Sequence, residues 1–111
     1  MNNPKYQVFK STKNSQFYFR LNAVNGETIL GSEGYTSKQG CLNGVESVKT
    51  HSPYDKNYDR KDSYQNYTFN LKSNNGEIIG RSENYTTSAS RENGIVAVKR
   101  DGPHSPIEDL T

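Results

Sequence analysis

Slid against itself by 50 residues without a gap, the 111-residue chain reads as two copies of one unit. Phe19 and Leu21 meet Phe69 and Leu71, Asn25-Gly26-Glu27 meets Asn75-Gly76-Glu77, and Ile29 meets Ile79. Further along, Ser32-Glu33 meets Ser82-Glu83, Tyr35-Thr36 meets Tyr85-Thr86, and Asn43-Gly44 meets Asn93-Gly94. Val48-Lys49 meets Val98-Lys99, and Pro53 meets Pro103. Between 17–53 and 67–103 this makes 15 identities in 37 positions, far above chance. A unit of this length is one supersecondary element, too small to bury its own apolar face well. The expected organisation is a single domain over 1–111, with repeat one at about 5–55 and repeat two at about 56–111.

A position kept in both copies is one the shared fold needs, so each copy helps to read the other. Phe17-Tyr18-Phe19-Arg20-Leu21 and Tyr67-Thr68-Phe69-Asn70-Leu71 alternate apolar and polar residues, the period of a half-buried strand. Phe17, Phe19 and Leu21 should face the core with Tyr67, Phe69 and Leu71, leaving Tyr18, Arg20, Thr68 and Asn70 outside. Asn-Gly then marks a hairpin, read as a type I′ turn, before return strands at Thr28-Ile29-Leu30 and Ile78-Ile79. Tyr6-Gln7-Val8-Phe9 reads as a preceding strand, with Tyr58-Asp59-Arg60 as its counterpart. After Tyr35 and Tyr85 the period changes. Leu42, Val45 and Val48 are spaced by three, as are Ile95 and Val98, which predicts a helix with one narrow apolar stripe in each copy. Thr36, Ser37, Thr86 and Thr87 are suitable N-caps, and Thr36 with Gln39 matches a capping box. Gly44 and Gly94 fall inside these helices, where glycine costs about 1 kcal/mol relative to alanine. Close approach of the helix backbone to the sheet or to the other helix explains that cost; a kink or chain reversal at Asn-Gly is the alternative. Ile107-Glu108-Asp109-Leu110 offers a short edge strand.

Only 30% of residues are hydrophobic and the mean hydropathy is −1.02, near the lower limit for a folded chain. The 8 Tyr and 4 Phe, the net charge of only +2 and the apolar periodicity argue for folding with a thin core. Residues 1–50 carry six Lys/Arg and three Asp/Glu, and residues 51–111 carry eight and nine, so neither half advertises a phosphate-backbone partner. Cys41 stands alone, which leaves no internal disulfide and no multi-cysteine zinc set. With no signal-like N-terminal stretch and no apolar run of membrane length, the expected compartment is cytoplasmic and no membrane partner is expected.

The combined motifs carry a resemblance. Phe-Tyr-Phe-Arg-Leu at 17–21, Asn-Gly-Glu at 25–27, Ser-Glu-Gly-Tyr-Thr-Ser-Lys at 32–38 and Asn-Gly-Val-Glu-Ser-Val-Lys at 43–49 resemble the YegP-like family of small bacterial proteins. Arg91-Glu92-Asn93-Gly94-Ile95 resembles its second repeat, and Pro-Ile-Glu-Asp-Leu at 106–110 its C-terminus. The resemblance implies an α+β fold of two tandem β-β-β-α-β repeats. They would form one antiparallel sheet with exchanged terminal strands and both helices on one face, related by a pseudo-two-fold. It also implies that single-repeat relatives pair as dimers. The Tyr-rich, charged segment 54–64 departs mildly from the pattern. The family is of unknown function, so no site residue carries over from it.

The densest repeated polar cluster is Ser32, Glu33 and Tyr35 with Thr36, and Ser82, Glu83 and Tyr85 with Thr86. Two carboxylates near a two-fold could work as an acid/base pair or hold a cation. Capping, the helix dipole and a cross-strand partner account for the same residue types without a ligand, and that reading is preferred. His51 and His104, both in His-Ser-Pro, read as exposed loop residues short of a metal set, and Cys41 as a partly buried structural thiol. Tyr18, Arg20, Thr68, Asn70 and Lys72 mark the open sheet face as a candidate interaction surface. Tyr18 is replaced by Thr68 in the second copy, so no stacking platform repeats. Together these point to a monomeric, non-enzymatic interaction or structural module without cofactor or metal, docking a protein partner on the open face or a terminal strand edge. Weak nucleic-acid binding on that face is the runner-up, and an enzyme acting through Glu33 and Glu83 comes third.

Overall fold

The alternating segments become strands and the period-three segments become helices in the computed structural model, which describes residues 3–111. Repeat one supplies β1 (Lys5–Lys10), β2 (Phe17–Asn22), β3 (Thr28–Gly31) and α1 (Lys38–His51). A short 3-10 turn, Asp55–Asn57, leads into β4 (Tyr58–Ser63), β5 (Asn66–Lys72), β6 (Ile78–Arg81), α2 (Ser88–Asp101) and β7 (Ile107–Asp109). All seven strands join one sheet in the order β4-β5-β6-β3-β2-β1-β7. At its centre β3 and β6 run antiparallel with Gly31 opposite Arg81. These two positions are equivalent under the 50-residue shift, so the pseudo-two-fold passes between them.

The fold is thus the expected α+β arrangement of two repeats around one sheet, with one strand fewer than β-β-β-α-β twice. Only repeat two has a strand after its helix, and β7 runs parallel to β1, pairing Tyr6 with Ile107. In repeat one the equivalent residues, 57–59, end the 3-10 turn and already form the start of β4, the first strand of the second copy. The sheet is therefore mixed rather than purely antiparallel.

Local geometry corrects two expectations. In each of the two Asn-Gly hairpins only the glycine has positive φ, +85° at Gly26 and +86° at Gly76, so Asn-Gly is not a type I′ turn. Ala23 N–H donates to Glu27 C=O, Gly26 N–H donates to Ala23 C=O, and Ser73–Glu77 repeats the pattern. That is a three-residue loop, a type I turn closed by a left-handed glycine. The asparagine serves the turn through its side chain: Asn25 Oδ1 accepts the Glu27 N–H at 3.0 Å, and Asn75 Oδ1 the Glu77 N–H at 3.1 Å. The helix N-caps are Ser37 and Thr87, which accept from the N–H groups of Gly40 and Ser90. The Thr36–Gln39 capping box does not form, and Gln39 bonds Asn43 instead.

The core lies between the sheet and the two helices. Tyr6, Val8, Phe19, Leu21, Phe69 and Leu71 are fully buried from the strands, and Val45, Val48, Ile95 and Val98 from the helices. Cys41 shares the α1 stripe with Gly44, Val45 and Val48, which leaves Leu42 half-buried at its edge. Phe17 packs half-buried against the core, and Tyr67 lies half-exposed under the Arg91 guanidinium. Each helix also rests on the other repeat, α1 on β5 and β6 and α2 on β3. Tyr6 of β1 donates its hydroxyl to the Gly102 carbonyl past α2, and Tyr58 of β4 to the Ser52 carbonyl past α1, both at 2.7 Å. At the dyad the copies diverge. Leu30 fills the space over its equivalent, Gly80, where an added Cβ would come within 2.7 Å of Leu30 Cγ.

Candidate functional site

The face of the sheet away from the helices carries a cross-strand row. From one edge to the other, Glu108, Gln7, Arg20, Gly31, Arg81, Asn70 and Asp59 stand side by side through successive pairings. The Tyr18, Arg20, Thr68, Asn70 and Lys72 picked out from the sequence all lie here, half-buried, and most of their polar groups are already engaged. Arg20 Nε donates to Gln7 Oε1 at 2.8 Å while its guanidinium lies 4.8 Å from the Phe9 ring centroid. Gln7 in turn donates to Glu108 at 2.7 Å. Lys72 pairs with Asp59 at 3.3 Å, and the Tyr18 hydroxyl accepts from Asn14. The sheet edges are guarded too, because β4 reads Tyr-Asp-Arg-Lys-Asp-Ser and β7 is three residues long.

The Ser-Glu-x-Tyr clusters sit where strand turns into helix. Ser32 Oγ accepts the Phe19 N–H and Ser82 Oγ the Phe69 N–H, both at 2.9 Å. Phe17 and Tyr35 exchange backbone bonds, as do Tyr67 and Tyr85, which pins the corner. Glu33 takes a cross-strand partner, Arg81, at 2.5 Å. Glu83 faces the mirror-image place, where Gly31 stands instead of an arginine. The two carboxylates are therefore unlike, one ion-paired and one not matched by an equivalent arginine. Burial pushes the Cys41 thiol up to about 11, which removes it as a nucleophile near neutral pH. His51 is no loop residue: it ends α1, half-buried, and its Nδ1 lies 2.8 Å from the Ser47 carbonyl. A carbonyl only accepts, so in the neutral ring Nδ1 carries the proton and Nε2 keeps its lone pair.

One hollow of the molecule, a cleft of about 490 Å³, lies between α1 and the β5–β6 hairpin of the other repeat. Tyr35, Asn43, Gly44 and His51 line it from repeat one, and Asn75 and Glu77 from repeat two. The Tyr35 ring lies flat against α1, and Gly44 is what permits it: a Cβ there would come within 2.8 Å of Tyr35 Cζ and 3.0 Å of Phe19 Cε2. Gly94 accommodates Tyr85 in the same way. The close-approach reading of the helix glycines thus holds, with the tyrosine ring as the group that approaches. Burial, helped by Cys41, Glu33 and Glu77, raises the Tyr35 hydroxyl above the usual tyrosine range. Burial does the same to Tyr85, with Glu83 and Glu27 adding to it. Each tyrosine therefore feels the hairpin glutamate of the opposite copy.

This cleft gathers the repeated residues that the fold leaves unexplained. Phe19, Leu21, Ile29, Val48 and their copies are core; Lys49 and Lys99 lie over the Tyr6 and Tyr58 rings. Turn geometry accounts for Asn25, Gly26 and their copies. It does not call for the Glu27 and Glu77 side chains, both exposed, of which Glu77 lines the cleft. Nor does it call for Asn43 and Asn93: the Gln39–Asn43 bond has no copy, because Ala89 stands at Gln39's place. Sequence comparison of the copies had every one of these residues in hand. What it lacked was the crossing that sets Tyr35 and Asn43 of one copy against Glu77 of the other.

Two stretches, residues 12–59 and 62–109, each match the family described as a domain of unknown function, DUF1508. The chain belongs to the DUF1508 family. Its DUF1508 repeats are also similar to curated relatives. A UPF0339 protein of the ptx operon 5′ region of Stutzerimonas stutzeri is 61% identical over 51 residues, 46% of each chain. The chain thus spans about half the length of that relative. A UPF0339 protein of Treponema denticola is 49% identical over 49 residues, 44% of this chain but 83% of the relative, which is therefore about one repeat long. The fold has solved counterparts. The solution NMR structure of a UPF0339 protein from Shewanella oneidensis matches with a TM-score of 0.91 at 45% identity, over 98% of this chain and 92% of that one. That of yegP from Escherichia coli, titled a protein of unknown function, also gives 0.91, at 42% identity over 100% and 96%. No helix among the described residues is long and apolar enough to cross a membrane.

Proposed function

We propose that this protein is a non-catalytic binding module whose ligand sits in the cleft between α1 and the β5–β6 hairpin. One observation carries the reading. The polar residues kept in both copies without a shared structural duty, Asn43/Asn93 and Glu77/Glu27, border the tyrosine that the helix glycine admits. The cleft volume of about 490 Å³ is of the size that takes a small molecule. Binding without turnover is favoured because two of the groups that could serve a catalyst are committed: Cys41 is buried and protonated, and Glu33 is held by Arg81.

Amide NMR spectra of the labelled protein, titrated with a panel of small polar compounds, test this. Saturable shifts at Asn43, Asn75 and Glu77 are expected, lost in Asn43→Ala and with the compound recovered unchanged. Shifts confined to the sheet face, or none with any compound, would refute it.

A second reading rests on the sheet face. Phe9 and Tyr18 stack with centroids 5.9 Å apart beside a hollow of about 520 Å³ bordered by Lys10 and Lys13. Aromatic faces among basic side chains suit weak single-stranded nucleic-acid binding. A gel shift at near-physiological salt that Tyr18→Ala abolishes would favour it over the cleft.

A further inference from the structure

The α1 cleft does not end at His51. A second hollow, of about 300 Å³, continues past it, and His51 and Asn74 stand in the walls of both. The first hollow holds the Glu77 carboxylate, and the second is lined by Thr50, Tyr54 and Lys56. The continuous groove is therefore acidic at one end and basic at the other. Lys56 is exposed on the 3-10 turn, whose neighbouring Asp55 is already bonded to Arg60 and Lys99. Between the two charges lie the Asn43 and Asn74 amides and His51. Each amide offers a donor and an acceptor, the complement of a peptide group. The two ends are set apart along the helix. Along α1 the two hollows together are lined from Gly40 to His51, eleven residues or about 16 Å at about 1.5 Å per residue. An extended chain of three residues spans about 10 Å and fits within that length.

We propose that this groove binds a short unblocked peptide, its ammonium group at Glu77 and its carboxylate at Lys56. The assignment rests on the cleft reading above and adds to it the ligand's charge pattern and length. It belongs to the α1 cleft alone. At the equivalent place beside α2, Asn74, Ser47, His51 and Lys56 are replaced by Val24, Ala97, Asp101 and Pro106, so only Tyr85, Asn93 and Glu27 of the pattern are kept.

Titrating labelled protein with trialanine, N-acetyl-trialanine, trialanine amide and free alanine tests the idea. Trialanine should shift the amides of Asn43, His51 and Asn74 saturably. Blocking either end, or shortening to alanine, should weaken binding at least tenfold. In Glu77→Gln, acetylation should make no further difference, and in Lys56→Met, amidation should make none. Thermal melts establish that both surface variants fold. Equal binding of blocked and free peptides, or blocking effects that persist in the variants, would overturn the proposal. If other polar compounds shift the cleft amides and trialanine does not, the peptide assignment falls while the cleft reading stands. If no compound shifts them, both fall.

Discussion

Replacing Gly44 by alanine sets two opposed effects against each other, and the structure decides the sign. Alanine in a helix interior is favoured over glycine by about 1 kcal/mol. The new methyl would stand 2.8 Å from Tyr35 Cζ and 3.0 Å from Phe19 Cε2, inside van der Waals contact with two rings. Phe19 is 1% exposed and cannot swing away. Overpacking of this kind costs about 1–3 kcal/mol. The net expectation is a loss of up to about 2 kcal/mol, with about 4 °C or more of Tm for each kcal/mol in a domain of this size. The decisive measurement is a double-mutant cycle. In a Tyr35→Ala background the clash with that ring is gone and only the Phe19 contact remains, so Gly44→Ala should cost clearly less than in the parent, with a coupling of about 1 kcal/mol. Chemical denaturation of the four proteins gives the coupling. If Gly44→Ala raises stability in the parent, or costs the same with and without the Tyr35 ring, the tyrosine does not explain the glycine. Gly94 and Tyr85 provide an independent second cycle.

Gly31→Arg should supply the missing mirror image of Arg81 and pair with Glu83, since a Cβ at Gly31 meets nothing within 4 Å. Arg20 and Arg81 stand on either side of position 31, so their repulsion offsets the new pair. The net change should stay within about 1 kcal/mol of zero and shrink further in melts at high salt. A fragment ending at Tyr54 should not fold as a monomer, and its self-pairing should be poor, because two Leu30 side chains would compete for the space Gly80 leaves. Sedimentation should show tighter pairing for the same fragment carrying Leu30→Ala, and a cooperatively folded monomer would refute the single shared core. Stability should fall above about pH 10: burial holds the Tyr6 and Tyr58 hydroxyls above the usual range, so the unfolded chain ionises first. Tyr6→Phe should cost about 1 kcal/mol at neutral pH and flatten that alkaline decline in melts. At the acid end, Arg60 and Lys99 hold Asp55 down to about 2, so its contribution should fade between about pH 4 and pH 2 and be smaller in Lys99→Met.

The duplication, the strands, the helices and most of the core were legible because they follow from local periodicity, read twice over. Alternation placed Phe19, Leu21, Phe69 and Leu71 inward, and spacing by three placed Val45, Val48, Ile95 and Val98. The misses were of a different kind. Ser37 and Thr87 won the caps over their neighbours by one residue, a matter of where the chain leaves the strand corner. Asn-Gly signalled the hairpins correctly and their turn type wrongly, because the same dipeptide also closes a three-residue loop through the asparagine side chain.

The sequence by itself determined which residues matter: a position kept in both copies, such as Gly44 with Gly94 or Glu27 with Glu77, is marked by its repetition alone. Only the tertiary structure decided what they do. The pseudo-two-fold between Gly31 and Arg81 carries each helix onto the other copy's strands, so Tyr35 and Asn43 share a cleft with Glu77 and not with Glu27 of their own repeat. A pattern of period two or three is set by neighbours along the backbone. The partner of a helix across a dyad is set by which apolar faces close on one another when the whole chain packs, and identical copies give no local sign of that choice.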